Sequence, residues 1–178
     1  LDLKKPKTTE CLENPNRMHG LVEQTTENKG GKLWRVDRIN GQLHLLIQSR
    51  DFPDLHSLQN QIGDIEYAPR VLNYDNFLNT VTNGDNYYFV VNANTTVKKE
   101  GKRIAMKNDD ERINWLVRKG ETNGFHLKLD QTIILQSIPL IFKRGSEKVT
   151  LTSTLFQGVL TVTDETAFTS ALKNGIGH

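Results

Sequence analysis

The order of segments in this 178-residue chain predicts an α+β fold. We expect two tandem ferredoxin-like (RRM-like) β-α-β-β-α-β domains, with the last strand beyond His178. Three observations predict it. Asn40-Gly41 stands between two strand-like runs, 33–39 and 42–49, and Asn-Gly is the favoured two-residue hairpin turn because both positions tolerate positive φ. Helix signals lie on either side of that hairpin. The same order of elements then recurs after residue 84, which gives expected domains at 1–80 and 84–178, joined near Leu78–Gly84.

The elements follow in order. Leu1–Leu3 reads as the tail of a first strand. Asn14 can cap a helix, and Pro15 suits its first position, where a missing N–H costs nothing. Met18, Leu21 and Val22 fall at i, i+3 and i+4 and form its buried stripe. In the second hairpin strand Leu43, Leu45 and Ile47 point one way, and His44, Leu46 and Gln48 the other. Pro53 opens a short helix with Leu55, Leu58 and Ile62 on one face, and a strand is expected between Ile65 and Leu72.

In the second half, Tyr87–Val91 is an aromatic, β-branched strand whose aromatics are expected in the core. Asn108 with Glu111 makes a capping-box pattern, and Asp109, Asp110 and Glu111 suit the positive end of a helix dipole. The stripe of that helix is Ile113, Leu116 and Val117. Asn123-Gly124 precedes an alternating strand, Phe125–Leu129. Ile138–Phe142 and Val149–Leu155 flank a basic hairpin tip, and Val159–Val162 continues the strand. A final helix over 164–174 buries Ala167, Phe168, Ala171 and Leu172, and Gly175 is placed to end it.

Composition excludes several classes. With 36% apolar and 25% charged residues, the chain is too apolar and too weakly charged for a disordered one. A single cysteine, Cys11, excludes an internal disulfide framework or a cysteine-based zinc cluster and fits a reducing, cytoplasmic compartment. No apolar run is long enough to span a membrane. Leu1-Asp2-Leu3-Lys4-Lys5 is no signal peptide, and without an initiator Met some residues are expected before it.

A net charge of +2 does not announce nucleic acid, so placement of charge decides. Residues 98–119 hold eight cations against four acids, a net of +4. Lys98, Lys99, Lys102 and Arg103 lead this segment in what reads as a loop. Lys143, Arg144 and Lys148 surround the second hairpin tip. Each group reads either as a solvated surface or as a phosphate-contacting arm.

His19 lies about 100° off the buried stripe, near the start of its helix. A helix N-terminus can seat a phosphate, and an imidazole beside one can act as general acid or base. From position alone, a solvated surface histidine is the plainer reading. No histidine pair shows metal-ligand spacing, and neither a metal nor a cofactor is expected.

Several short matches, in the same order along nearly the whole chain, resemble one family. They are Asn14-Pro15, Met18-His19, Leu33-Trp34-Arg35, Gly101–Lys107, Glu111–Leu116, Phe156–Val162 with Asp164, and Gly175-Ile176-Gly177. Together they resemble CRISPR-associated endoribonucleases of the CasE kind, the guide-RNA-processing subunits of type I-E Cascade. The resemblance implies two ferredoxin-like domains, binding of a CRISPR repeat hairpin, partnership with other Cascade subunits, and metal-independent cleavage at the 3′ base of the hairpin. The 2′-hydroxyl would attack the adjacent phosphate, leaving a 2′,3′-cyclic phosphate and a 5′-hydroxyl. His19 falls on the family's catalytic histidine. Lys143, Arg144 and Lys148 fall on its RNA-gripping hairpin, with Lys98, Lys99, Lys102 and Arg103 placed to help. Gly175 and Gly177 fall on the approach to its glycine-rich loop.

Three departures stand out. The family can carry a catalytic Tyr three residues before the histidine, where this chain has Asn16. Its Arg-Ala-Asn-Pro reads Asn92-Ala93-Asn94-Thr95 here, without the cation and the rigid turn. Its glycine-rich loop continues into a closing strand, whereas this sequence ends at His178. The expected function is a hairpin-specific endoribonuclease. The rivals are a non-catalytic RNA-binding module and a protein-interaction subunit.

Overall fold

The computed structural model describes residues 1–28, 31–99, 102–144 and 147–177. The chain divides into two compact units, Leu1–Leu72 and Asn73–His178.

The first unit begins with two helices that share one residue. Helix α1 is Pro6–Glu13 and helix α2 is Pro15–Glu23. Asn14 ends the first, its N–H donating to the Glu10 carbonyl at 3.1 Å, and caps the second, its side chain accepting from the Asn16 N–H at 3.1 Å. Strands β1 (Leu33–Ile39) and β2 (Gln42–Gln48) pair antiparallel around Asn40-Gly41, which adopt φ of 50° and 81° as the turn requires. Helix α3 (Leu55–Ile62) is capped by Asp54, which accepts from the Ser57 N–H at 2.9 Å. Cys11, Met18, Leu21, Leu58 and Ile62 form the core, packed against Trp34, Val36, Leu45 and Ile47 of the hairpin.

Two expected strands of this unit are absent among the described residues. Leu1–Leu3 is not a strand. The Leu1 ammonium donates to the Leu43 carbonyl at 2.7 Å, and the Asp2 N–H donates to the Ile62 carbonyl at 2.9 Å. Residues 65–72 form no ladder either, and Ile65 and Leu72 are exposed. Pro69 lacks the N–H that a ladder needs, and the segment buries too little to hold a strand. Helix α1 went unforeseen because Thr8 and Cys11 are its only buried positions, too few for a visible stripe.

The second unit opens with a short helix, α4 (Asp75–Leu78). A three-stranded antiparallel sheet then follows the order β3-β7-β6, where β3 is Asn86–Asn94, β6 is Phe125–Arg144 and β7 is Glu147–Val162. Between β3 and β6 come a small ribbon, β4 (Thr96–Lys99) with β5 (Lys102–Ala105), and helix α5 (Asp109–Thr122). Helix α6 (Glu165–Asn174) follows β7. The segment read as a basic loop is therefore a two-stranded ribbon.

One face of the sheet carries the core. Phe125, Leu160, Val162 and Phe168 pack with Tyr87 and Phe89, and Met106, Trp115, Leu116 and Phe156 form an adjoining cluster. The buried residues of α5 are Trp115, Leu116 and Gly120; of the expected stripe, Leu116 is in the core and Ile113 packs against it half-buried, whereas Val117 does not join it. The Asn108 side chain accepts from the Glu111 N–H at 2.9 Å, as the capping box requires. Tyr88 departs from the expected burial and stands 64% exposed on the other face.

Strand β6 bulges at Leu129–Thr132, since Lys128 pairs with Val159 and Ile133 with Gln157. Only Gly158 lies opposite the insertion. A Cβ there would stand 2.7 Å from the Gln131 carbonyl oxygen and 2.8 Å from the Thr132 Cα. No helix among the described residues is long and apolar enough to cross a membrane.

Candidate active site and nucleic-acid interface

His19 is the fifth residue of α2 and is exposed. The helix beneath it is firmly seated, because Met18, Leu21 and Val22 are 1%, 6% and 0% exposed. Burial of side chains like these is worth about 1.5–3 kcal/mol each, so the backbone that carries His19 is fixed. No hydrogen-bond partner holds its ring among the described residues, which leaves both nitrogens open to a substrate.

The expected phosphate seat at this helix N-terminus is already filled. Pro15 has no N–H, Asn16 donates to the Asn14 side chain, and Arg17 and Met18 donate to the Asn14 carbonyl at 2.9 and 3.2 Å. With α1 joined directly to α2, the capping residue satisfies the donors that a phosphate would use. Anion contacts near His19 thus fall to side chains.

Those side chains flank a shallow cleft of about 310 Å³ between α1 and α2, lined by Lys7, Glu10, Asn16, Arg17, Gly20 and Gln24 among others. Arg17 pairs with Glu10, and Lys7 donates to the Gln61 side chain. Added bulk at Gly20 would meet nothing within 4 Å. Cys11 forms part of the cleft floor. Burial pushes its thiol above the ordinary range against the pull of Lys7 and Arg17, which disfavours the thiolate.

Asn16, one turn before His19, brings an amide to this surface where the resembling family can carry a phenol. One turn after His19 comes Glu23. Its carboxylate accepts from the Lys32 ammonium at 3.1 Å, and Lys32 also donates to the Asn28 carbonyl at 2.6 Å. The Lys32 side chain is 2% exposed. Sequence reading did not single out this pair, because a lysine before a strand carries no mark of burial.

The basic segments of the second unit lie on two antiparallel ribbons. In the β4–β5 ribbon Lys98 stands opposite Arg103 and Lys99 opposite Lys102. In the β6–β7 hairpin Lys143 stands opposite Lys148 and Arg144 opposite Glu147. Both lie at the same end of the sheet, because β3 runs antiparallel to β7 with Asn94 opposite Ser153. The base of the small ribbon is tied there: the Thr95 N–H donates to the Thr152 carbonyl at 3.2 Å, and the Asn94 side chain accepts from the Thr152 N–H at 3.0 Å. Thr95 and Thr154, both fully buried, bond through their hydroxyls at 2.8 Å. Hydrogen bonds thus hold the turn that lacks the family's proline. The hairpin tip residues Gly145 and Ser146, together with Glu100 and Gly101, lie outside the described residues. Gly175 ends α6 at φ 81°, and a Cβ at Gly177 would meet nothing within 4 Å.

Comparison with known proteins decides what this arrangement belongs to. The family described as "CRISPR associated protein" matches residues 1–178. The chain belongs to that family. The CRISPR-associated endoribonuclease Cse3 of Thermus thermophilus is 27% identical over 93% of this chain and 85% of its own. A structure of Thermus thermophilus Cse3 bound to an RNA representing a pre-cleavage complex matches with a TM-score of 0.85, at 25% identity, over 100% of this chain and 89% of the other. The Cas6e protein of Escherichia coli K-12 matches with a TM-score of 0.62 at 20% identity, over 91% of this chain and 84% of the other, a likeness of fold. This CRISPR associated protein thus has the expected fold class, α+β with tandem ferredoxin-like domains, even though the first and last strands expected of its first unit are absent.

Proposed function

We propose that this chain is a metal-independent endoribonuclease that binds the stem-loop of CRISPR repeat RNA and cleaves at the 3′ base of the hairpin. The observation that carries the reading is the similarity to Cse3 along almost the entire chain, with a close fold match to its RNA-bound form. His19 supports it as an open imidazole on a rigid helix.

In this mechanism a base takes the proton of the 2′-hydroxyl. The 2′-oxygen attacks the adjacent phosphorus, and the bond from phosphorus to the 5′-oxygen breaks. An acid returns a proton to that oxygen. The products are a 2′,3′-cyclic phosphate and a 5′-hydroxyl. His19 serves one of the two proton transfers, each worth roughly 10²–10⁴-fold in rate. Lys98, Lys99, Lys102, Arg103, Lys143, Arg144 and Lys148 grip the stem, and Gly175 and Gly177 lead into a glycine-rich loop beside it. Other Cascade subunits would be its protein partners in the cytoplasm.

A second reading, RNA binding without cleavage, draws on Asn16, since an amide cannot supply the proton that a phenol can. An assay in EDTA separates the two. It uses a repeat hairpin and the same hairpin with a 2′-deoxy nucleotide at the cut site. Cleavage of the first RNA alone supports the enzyme, whereas tight binding of both without cleavage supports the binding module.

A further inference from the structure

Among the described residues, the helices and core of this unit pack on one face of the β3-β7-β6 sheet. On its other face the register aligns Asn86, Thr161 and His126 in one row, and Tyr88, Val159 and Lys128 in the next. Tyr88 is 64% exposed on edge strand β3, and His126 is exposed on the opposite edge strand, β6. The Thr161 hydroxyl donates to the Asn86 side chain at 2.8 Å, which fixes the neighbouring row. None of these six residues is acidic, and Gln157 and Ile133 continue the face without charge. The Lys128 ammonium has no partner among the described residues. The bulged residues Gln131 and Thr132 lie over Gly158, on the helix-covered side.

We propose that this open face binds a single-stranded segment of RNA flanking the hairpin, with one base stacked on Tyr88 and the backbone drawn toward Lys128 and His126. The inference rests on the RNA-binding reading above. Adjacent strands lie about 4.8 Å apart, so Lys128 stands roughly 10 Å from Tyr88 across the sheet, and its long stem covers part of that gap. A lone exposed phenol ring offers a base-sized stacking surface, and every base has a face to stack on it. The sign of the charge favours RNA as the occupant. A protein partner would have its use for Ile133 but none for an unpaired Lys128 two strands from the ring.

The test compares two RNAs by fluorescence anisotropy, the repeat hairpin alone and the hairpin with unpaired extensions on its 5′ and 3′ sides. Tyr88→Ala should weaken binding of the extended RNA by about 5- to 100-fold, the range that stacking of one base supplies, and leave the bare hairpin unchanged. Tyr88→Phe should retain the affinity, and Lys128→Gln should lower the salt dependence for the extended RNA only. Equal loss on both RNAs, or no loss on either, overturns the proposal. So does a Tyr88→Ala protein whose only change is in self-association, which would make the face a protein contact. If the wild-type protein binds the hairpin but gains nothing from either extension, the proposal fails and the hairpin reading stands. If it binds neither RNA, both fail.

Discussion

Glu23 accepts a hydrogen bond from the nearly buried Lys32 ammonium at 3.1 Å, one helical turn beyond His19. The pair ties the end of α2 to the residue just before β1, and so braces the helix that presents the imidazole. Lys32→Met should therefore destabilise the protein by about 2–3 kcal/mol. This lies below the ~3–5 kcal/mol for breaking a fully buried pair, because Glu23 keeps part of its side chain in water. Thermal unfolding checks it, and adding Glu23→Gln to the same protein should recover part of the loss.

His19→Ala should lower single-turnover cleavage of the repeat hairpin by roughly 10²–10⁴-fold while leaving hairpin affinity within a factor of about two. A parallel loss of affinity would mean that His19 binds rather than reacts. In the opposite direction, Asn16→Tyr places a phenol one turn before His19 and should raise the rate, by up to about 10²-fold.

If the ribbons hold phosphates, Lys143→Ala and Arg144→Ala should each flatten the plot of log affinity against log salt by about 0.7–0.9 per lost contact. Lys98→Ala and Arg103→Ala should do the same. Substitutions of Asp109 or Asp110, whose carboxylates serve the helix start, should leave the slope unchanged.

Gly158→Ala puts a methyl group against the Gln131 carbonyl and the Thr132 Cα of the bulge. Both are backbone, so the strand must shift. The expected cost is about 1–3 kcal/mol, read as a lower midpoint of urea unfolding.

Asp85 accepts from the Thr82 N–H at 3.0 Å and from the Tyr87 hydroxyl at 3.1 Å. The Thr82 bonds, backbone first, hold its carboxyl below the ordinary range, with Tyr87 adding to them. Because the folded state favours the charged form, this stabilisation is complete above the unfolded-state value near 3.9 and is lost as pH falls through the folded one. Asp85→Asn should lower the melting temperature at neutral pH, and the gap from wild type should close on acidification below about pH 4. A gap that stays constant to pH 2 would show that the carboxylate's charge is not the cause.

Much of the fold was legible wherever a local rule acts alone. Asn40-Gly41, Asn14-Pro15 and Asn108 with Glu111 each specify a turn or a helix start within four residues, and each is found in place. The failures come where tertiary context decides. Helix α1 buries only Thr8 and Cys11, too small a stripe to see. The apolar residues of 65–72 looked like a strand but have no partner to pair with. Trp115, outside the expected α5 stripe, is buried beside Leu116 because the Phe156 ring on β7 stacks with it at 6.5 Å. At the site, the exposure of His19 followed from helix phase alone. Lys32 and the filled helix N-terminus did not, because both depend on elements brought together only by folding.

Asn14 serves α1 and α2 at once, and this limits how the chain can change its length. An extra residue at that join would strip the cap from one helix and turn His19 by about 100° against everything α1 carries. The coil over 64–72 has no ladder to keep in register and can absorb insertions freely. Sequence drift in this protein should therefore show as gaps in that coil and never between Glu13 and Pro15.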